Sequence, residues 1–263
     1  MSRVAVAVLA SAFVLAAASG EAARKKTATT SKAKSAAAKK AALAKKKKLA
    51  MKKKSRAKGR HRVAVAEKVS TSKEGMPHGF AWPPNELMKT ASVACEKHLD
   101  EIGLTWERAT PEGKIADPIY VPAMEIGGIR YVAAYGKGPR RLDCQLVKTL
   151  DQIGPELVKL GVREIRYGSI YRNTNVRVHG TTKPILSRHA LGIAMDIKAF
   201  LDDKGRVANV ELDYLKGDPL LHSIEDTVNA SKLFRIVLTP GNDPLSHYDH
   251  FHFEAAVDYT AFR

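Results

Sequence analysis

The chain has only two cysteines, Cys95 and Cys144, in 263 residues. Neither stands in a CxxC pair or beside a histidine, so the patterns of a thiolate metal site or a nucleophilic cysteine are missing. The apolar run at residues 4–18 (VAVAVLASAFVLAAA) falls short of the ~20 residues that a comfortable membrane span needs. No cysteine follows that run, which argues against a lipoprotein anchor. Residues 24–62 contain no acidic residue at all, and no internal repeat is visible anywhere.

What the first 75 residues do contain is an address and a tail. Arg3, the apolar run and the small residues Ser19-Gly20-Glu21-Ala22 make residues 1–22 a secretory signal peptide, with cleavage near Gly20 or Ala22. An uncleaved anchor is the alternative. The exported chain then belongs to the periplasm or cell envelope, or is secreted, with no membrane span after cleavage. In such an oxidising place an even cysteine count is consistent with one disulfide, tying the start of the domain to a helix that begins near Leu142.

Residues 23–75 form a Lys/Ala-rich tail and linker. Residues 24–62 alone hold 18 Lys or Arg, so they account for the whole of the formal net charge of +17 and leave the rest close to neutral. Like charges repel and bury nothing, so disorder is expected there. The partners that suit this tail are peptidoglycan carboxylates and other envelope polyanions. No specific nucleic acid is expected, because the folded part carries no excess positive charge; a histone-tail-like role would require a chain that is not exported. A plain solvated spacer is the other reading.

The remainder, residues 76–263, reads as one domain. Helical spacing runs over residues 85–102, with Asn85 as N-cap and Gly103 as stop. A second helix is expected over residues 142–160, bent near Gly154-Pro155, and a third over residues 218–233. Strand signals fall at residues 119–121, 129–135, 164–171, 192–200, 207–212, 234–238 and 251–255, with a hairpin turn at Asp202-Asp203-Lys204-Gly205. Residues 173–182 read as a polar loop that could cover a cleft. This order predicts an α+β fold: a central, mainly antiparallel sheet with helices packed on one side.

Two histidine-rich segments carry the chemistry. The first is Ser187-Arg188-His189-Ala190-Leu191-Gly192-Ile193-Ala194-Met195-Asp196, the second His247-Tyr248-Asp249-His250-Phe251-His252. On a strand, His250 and His252 share one face while Phe251 and Phe253 share the other, so the phenylalanines can enter the core as the histidines line a cleft. With His189 in an entry turn and Asp196 on the following strand, both can reach one point. A carboxylate between Met195 and Ile197 is costly unless it binds metal or a cation such as Arg172. One His and the Asp from the first segment, with one His from the second, make the three N/O ligands of an open catalytic Zn2+ site. Asp249 or Asp243 could orient a histidine through its second nitrogen. Tyr171 and Tyr248 are candidates for the cleft wall. His179 lies in the polar loop and His222 on the third helix.

The pattern SxHxxGxAxD followed by HxxHxH resembles the zinc peptidases that include D-Ala-D-Ala carboxypeptidases, murein endopeptidases, VanX-type dipeptidases and lysostaphin. That resemblance implies a zinc-peptidase-like core with His189, Asp196 and His252 as metal ligands. It makes His250 the base or transition-state stabiliser and His247 an additional catalytic histidine. It also makes Arg172, in Gly168-Ser169-Ile170-Tyr171-Arg172, a contact for substrate or the oxyanion. A closer resemblance, over roughly residues 95–256, is to the bacterial extensin-like C-terminal domain, whose members carry further cysteines near the Arg and near the F-x-x-VL strand; this chain has none at either place. The function implied is an exported zinc-dependent peptidase on peptidoglycan peptides. The alternative is a non-catalytic envelope-binding module that keeps the metal site.

Overall fold

The computed structural model describes residues 75–136 and 140–262. The expected signal peptide at 1–22 and basic tail at 23–75 lie outside the described residues, Gly75 apart. In chain order the elements are helix α1 (Glu86–Glu101), strands β1 (Glu107–Arg108), β2 (Pro118–Tyr120), β3 (Glu125–Ile126), β4 (Ile129–Ala133) and β5 (Leu142–Asp143), and helix α2 (Cys144–Lys159). Strands β6 (Val162–Ser169), β7 (Asn175–Val178), β8 (Thr181–Leu186), β9 (Ala194–Asp202) and β10 (Val207–Asn209) follow. Helices α3 (Val210–Asp213) and α4 (Pro219–Ser231) and strands β11 (Phe234–Leu238) and β12 (Phe251–Ala255) complete the set, with short 3-10 turns at Arg188–Leu191, Tyr214–Lys216 and Tyr259–Phe262.

Seven strands form the central sheet in the order β11-β12-β9-β6-β4-β3, with β10 beside β9. Only the β4–β6 pair is parallel; the others are antiparallel. The fold is α+β, as the order of signals predicts. Period-two alternation explains its two faces. Met195 and Ile197 of β9 and Phe251 and Phe253 of β12 share a buried core with Leu146 and Leu150 of α2 and Leu221 and Ile224 of α4. The intervening residues Asp196 and His252, paired with each other in the register, are thereby turned to the opposite face. Helix α1 packs on α2 and on the turn at Tyr259–Phe262. Among the described residues no helix is long and apolar enough to cross a membrane.

Local chemistry sets the boundaries. Asn85 Oδ1 accepts the Met88 N–H at 3.0 Å and starts α1. Asp143 does the same for α2 through Gln145 N–H, and Asp218 for α4 through the Leu220 and Leu221 amides. Helix α2 runs through Gly154-Pro155 without interruption to Lys159. The glycine answers a close approach instead: a Cβ at residue 154 would lie 2.2 Å from the Gly127 carbonyl oxygen. The strand expected at 207–212 stops at Asn209, whose side chain accepts the Leu212 N–H at 3.1 Å and opens α3. The expected loop at 173–182 is largely the hairpin β7–β8, turning through His179 and Gly180 at positive φ of 48° and 79°. A two-residue turn of that hand suits a hairpin, but His-Gly is not among its common signatures.

Cys95 and Cys144 form a disulfide, spanning 49 residues between α1 and the first residue of α2. Restricting a loop of that length is worth roughly 4 kcal/mol on the chain-entropy estimate. Replacing both cysteines by alanine is expected to lower the unfolding free energy by about that amount, read from urea denaturation of the two proteins.

Beside the disulfide lies a buried acidic group. Asp117 is 5 % exposed, and its Oδ2, like Glu96 Oε1, has no hydrogen-bond partner among the described residues. Burial, then the charges of Asp143 and Glu96, push the Asp117 carboxyl up to about 7. Burial pushes Asp143 up to about 6, against three backbone N–H bonds that favour its charge. These folded-state values exceed the ordinary ~3.9 of an unfolded chain, so the native state holds protons that the unfolded state releases. Their contribution to stability is therefore greatest in acid and falls as pH rises from about 4 to about 7. Asp117→Asn is expected to gain stability relative to the wild type at pH 8 compared with pH 5, measured as urea midpoints at each pH. Equal differences at both values would contradict this assignment.

Candidate metal centre

Two backbone devices bring the first two side chains together. Ser187 caps the turn Arg188–Leu191, its Oγ accepting the His189 N–H at 3.3 Å. Gly192 ends the turn at φ 69°, and a Cβ there would meet the Asp143 nitrogen at 2.9 Å. Only glycine satisfies both the left-handed backbone and the close approach. Strand β9 then starts at Ala194 and presents Asp196. Strand β12 lies antiparallel to β9 with His252 directly opposite Asp196.

The result is a triangle of donor atoms. His189 Nε2 lies 3.0 Å from Asp196 Oδ1 and 3.2 Å from His252 Nδ1, and His252 Nδ1 lies 2.9 Å from Asp196 Oδ1. All three residues are largely buried. In a tetrahedral site with bonds of about 2.0–2.1 Å, neighbouring ligand atoms stand about 3.3–3.4 Å apart. The observed edges need only a slight expansion to match.

Proton accounting makes the same point. His189 Nδ1 donates to the Ile170 carbonyl at 2.7 Å, which leaves Nε2 as a lone pair on the neutral ring. That lone pair faces a carboxylate oxygen, and two acceptors so close repel unless a positive charge lies between them. Burial lowers the pKa of His189, so a second proton on this ring is disfavoured. Burial also opposes the charge on Asp196, but His189 and His252 reverse this and hold its carboxyl well below the usual range. His252 is likewise opposed by burial, yet Asp196 and Glu254 hold it up at about 9. The cluster is built to take up positive charge, and the donor set suits a divalent cation of borderline softness.

The surroundings complete the electrostatics. Asp196 Oδ2 accepts from Arg172 Nη2 at 3.0 Å, so the carboxylate gives one oxygen to the triangle and the other to Arg172. The cationic partner expected for Asp196 is present, and its other oxygen stays in a group that could hold a metal. Arg172 remains 49 % exposed along its side chain, with the rest of its fork available. His250 Nε2 lies 3.6 Å from Asp196 Oδ1, and its Nδ1 is 2.6 Å from Asp249 Oδ1. His247 bonds through Nδ1 to Asp243 Oδ2 at 2.8 Å, its ring centroid 4.8 Å from that of His250 and 5.5 Å from that of His252. Both aspartates considered for orienting a histidine therefore do so, each for a different ring. Burial lowers the pKa of His247, against the hydrogen bond that its ring donates to Asp243.

Other candidates are sorted by position. His179 reaches the rim from the tip of the β7–β8 hairpin, with Nε2 3.7 Å from Asp243 Oδ1 and its N–H bonded to Ser246 Oγ at 3.4 Å. Tyr248 is exposed. Tyr171 turns its hydroxyl against Gly113, and His222 packs on Tyr214, so these contacts lie outside the donor triangle. Glu254, Arg188 and Arg235 went unnoticed in the sequence. Glu254 Oε1 accepts from Arg188 Nε at 2.7 Å and Arg235 Nε at 2.5 Å, while Oε2 lies 3.9 Å from His252 Nε2. Strand periodicity was the available signal, since Glu254 follows His252 by two and must share its face. Burial opposes the charge of Glu254, but its hydrogen-bond partners and the arginines hold it down at about 2.

A divalent cation titrated into the metal-free domain is expected to bind one per chain. His252→Ala is expected to abolish that stoichiometric binding while leaving the far-ultraviolet circular dichroism unchanged; equilibrium dialysis with elemental analysis reads both proteins. Retained one-to-one binding would remove His252 from the ligand set.

Against known proteins, the family model described as extensin-like protein C-terminus matches residues 93–262. No curated protein and no solved structure matches the chain.

Proposed function

The chain belongs to the extensin-like C-terminal family, and from that premise we propose that it is an exported zinc-dependent hydrolase of peptidoglycan peptides, with a zinc-peptidase-like core. The observation that carries this reading is the convergence of His189 Nε2, Asp196 Oδ1 and His252 Nδ1 within 3.2 Å of one another. A bound Zn2+ supplies Lewis-acid polarisation of a carbonyl and brings the pKa of a water towards ~7. His189, Asp196 and His252 would hold the ion, and with only three protein donors it would remain open to substrate or solvent.

The chain's own residues supply the rest. His250, with Nδ1 on Asp249, presents Nε2 towards the ligand cluster. In that orientation Nε2 can accept a proton from an attacking water and return it to the leaving amine. The exposed part of the Arg172 fork suits a substrate carboxylate or a developing oxyanion. His247, held by Asp243, stands beside His250 as the additional catalytic histidine of this reading. The basic segment 24–62 is proposed to hold the enzyme near peptidoglycan carboxylates and other envelope polyanions, by charge alone.

Purified sacculi distinguish this from a binding module. The wild-type protein loaded with Zn2+ is expected to release peptides, and a chelator to stop it. His250→Ala is expected to keep one metal per chain but to lose cleavage by ~10²-fold or more. A loaded wild-type protein that binds sacculi and releases nothing would sink the hydrolase reading and favour the non-catalytic module.

A further inference from the structure

Lys198 enters none of the sequence motifs, yet it is joined to the site by a short chain of contacts. Its Nζ pairs with Asp249 Oδ2, and the other oxygen of that carboxylate, Oδ1, lies 2.6 Å from His250 Nδ1. The far nitrogen of the ring, Nε2, stands 3.6 Å from the Asp196 oxygen that belongs to the donor triangle. The two oxygens of Asp249 are thus used separately, one for a cation and one for the imidazole.

Backbone geometry explains why a lysine reaches this place. Along β9, Ile197 and Ala199 pair with Tyr167 and Arg166, which are consecutive in β6, so Lys198 is an extra residue in the register. Such a bulge re-aims a side chain without ending the strand. Across from it, Gly168 leaves room for the aliphatic stem. A Cβ at residue 168 would already stand 3.3 Å from Lys198 Cε and 3.5 Å from Cγ. The lysine stem is therefore laid along the sheet, with its ammonium at Asp249 and only about a fifth of its side chain exposed.

We propose that Lys198 and Asp249 are positioning residues for His250: Lys198 anchors one oxygen of Asp249, so that the other accepts the Nδ1 proton and Nε2 is left as a lone pair aimed at the metal cluster. A carboxylate tethered at one oxygen can rotate; tethered at both, it fixes the plane of the ring that it holds. The tautomer is chosen by the same bond, because a carboxylate oxygen accepts and Nδ1 must then donate. Gly168 belongs to the device, since a larger residue there would displace the stem. This inference rests on the proposed hydrolase reading for its kinetic consequence, but the tautomer of His250 does not depend on that reading.

Nitrogen-15 NMR of the metal-free domain tests the first part. The expected wild-type signal for His250 is the Nδ1–H tautomer, with Lys198→Met and Gly168→Val moving it towards a mixture and Lys198→Arg restoring it in part. A wild-type His250 protonated at Nε2, or a tautomer indifferent to Lys198→Met, would overturn the proposal. The second part uses the Zn2+-loaded protein on sacculi. Lys198→Met is expected to lower kcat by about 10-fold, with KM and metal stoichiometry little changed. In a His250→Ala background the same substitution is expected to cost nothing further. An equal loss with and without His250 would show that Lys198 acts through something other than this ring. If the wild type released no peptide, the hydrolase reading would fall, while the NMR result would still decide the positioning claim.

Discussion

The antiparallel pairing of β9 with β12 is the constraint on which the rest of the molecule depends. It sets Asp196 opposite His252 and, one residue away on each side, Ile197 opposite Phe251 and Met195 opposite Phe253. A slip of one residue would exchange the faces of a strand. The apolar side chains would then leave the core shared with α2 and α4, and the charged ones would enter it. Burial of four large side chains therefore fixes the ligand geometry, with no need for the polar groups to find one another unaided. The hydrophobic effect supplies the alignment, and the site inherits it.

Charge around the cluster is balanced in layers. Asp196 faces imidazoles on one oxygen and Arg172 on the other. Glu254 is locked between Arg188 and Arg235 and turns its second oxygen towards His252. Each acid near the ligands is thus tied to a cation of the protein's own, so it cannot swing in to become an extra ligand. This leaves a donor set of two imidazole nitrogens and one carboxylate oxygen, a group that could hold a metal ion. Buried ion pairs add little net stability over apolar replacements, but removing one partner leaves a costly unpaired charge.

What could be read from the chain was whatever period two and the caps encode. The alternation of His250, Phe251, His252 and Phe253 told which side chains share a face, and Asn85 and Gly103 told where α1 starts and stops. The spacing of His189 and Asp196 was readable because a glycine between them marks a turn. The β7–β8 hairpin stayed hidden, since its short strands are exposed and its turn is His-Gly. The role of Gly154 was hidden for another reason: it answers to Gly127, which is remote in sequence. Lys198 follows Asp196 by two and so shares its face, a signal open to the sequence, but the bulge beside it is a register difference between two strands that no single strand displays. The arginine clamp on Glu254 draws on the 3-10 turn, β11 and β12 together, and pairing of that kind leaves no mark on any one segment.

The order of the donors along the chain has a temporal consequence. His189 and Asp196 come from consecutive elements, but His252 arrives on β12, which inserts between β9 and β11. A polypeptide delivered progressively from ribosome or translocon holds only two of its three donors until that strand slots home. Two donors grip a cation weakly, so any ion that the group could hold would be taken up late, once the sheet is complete. Conditions at the close of folding, more than intrinsic preference among similar ions, would then decide which ion such a group could take up.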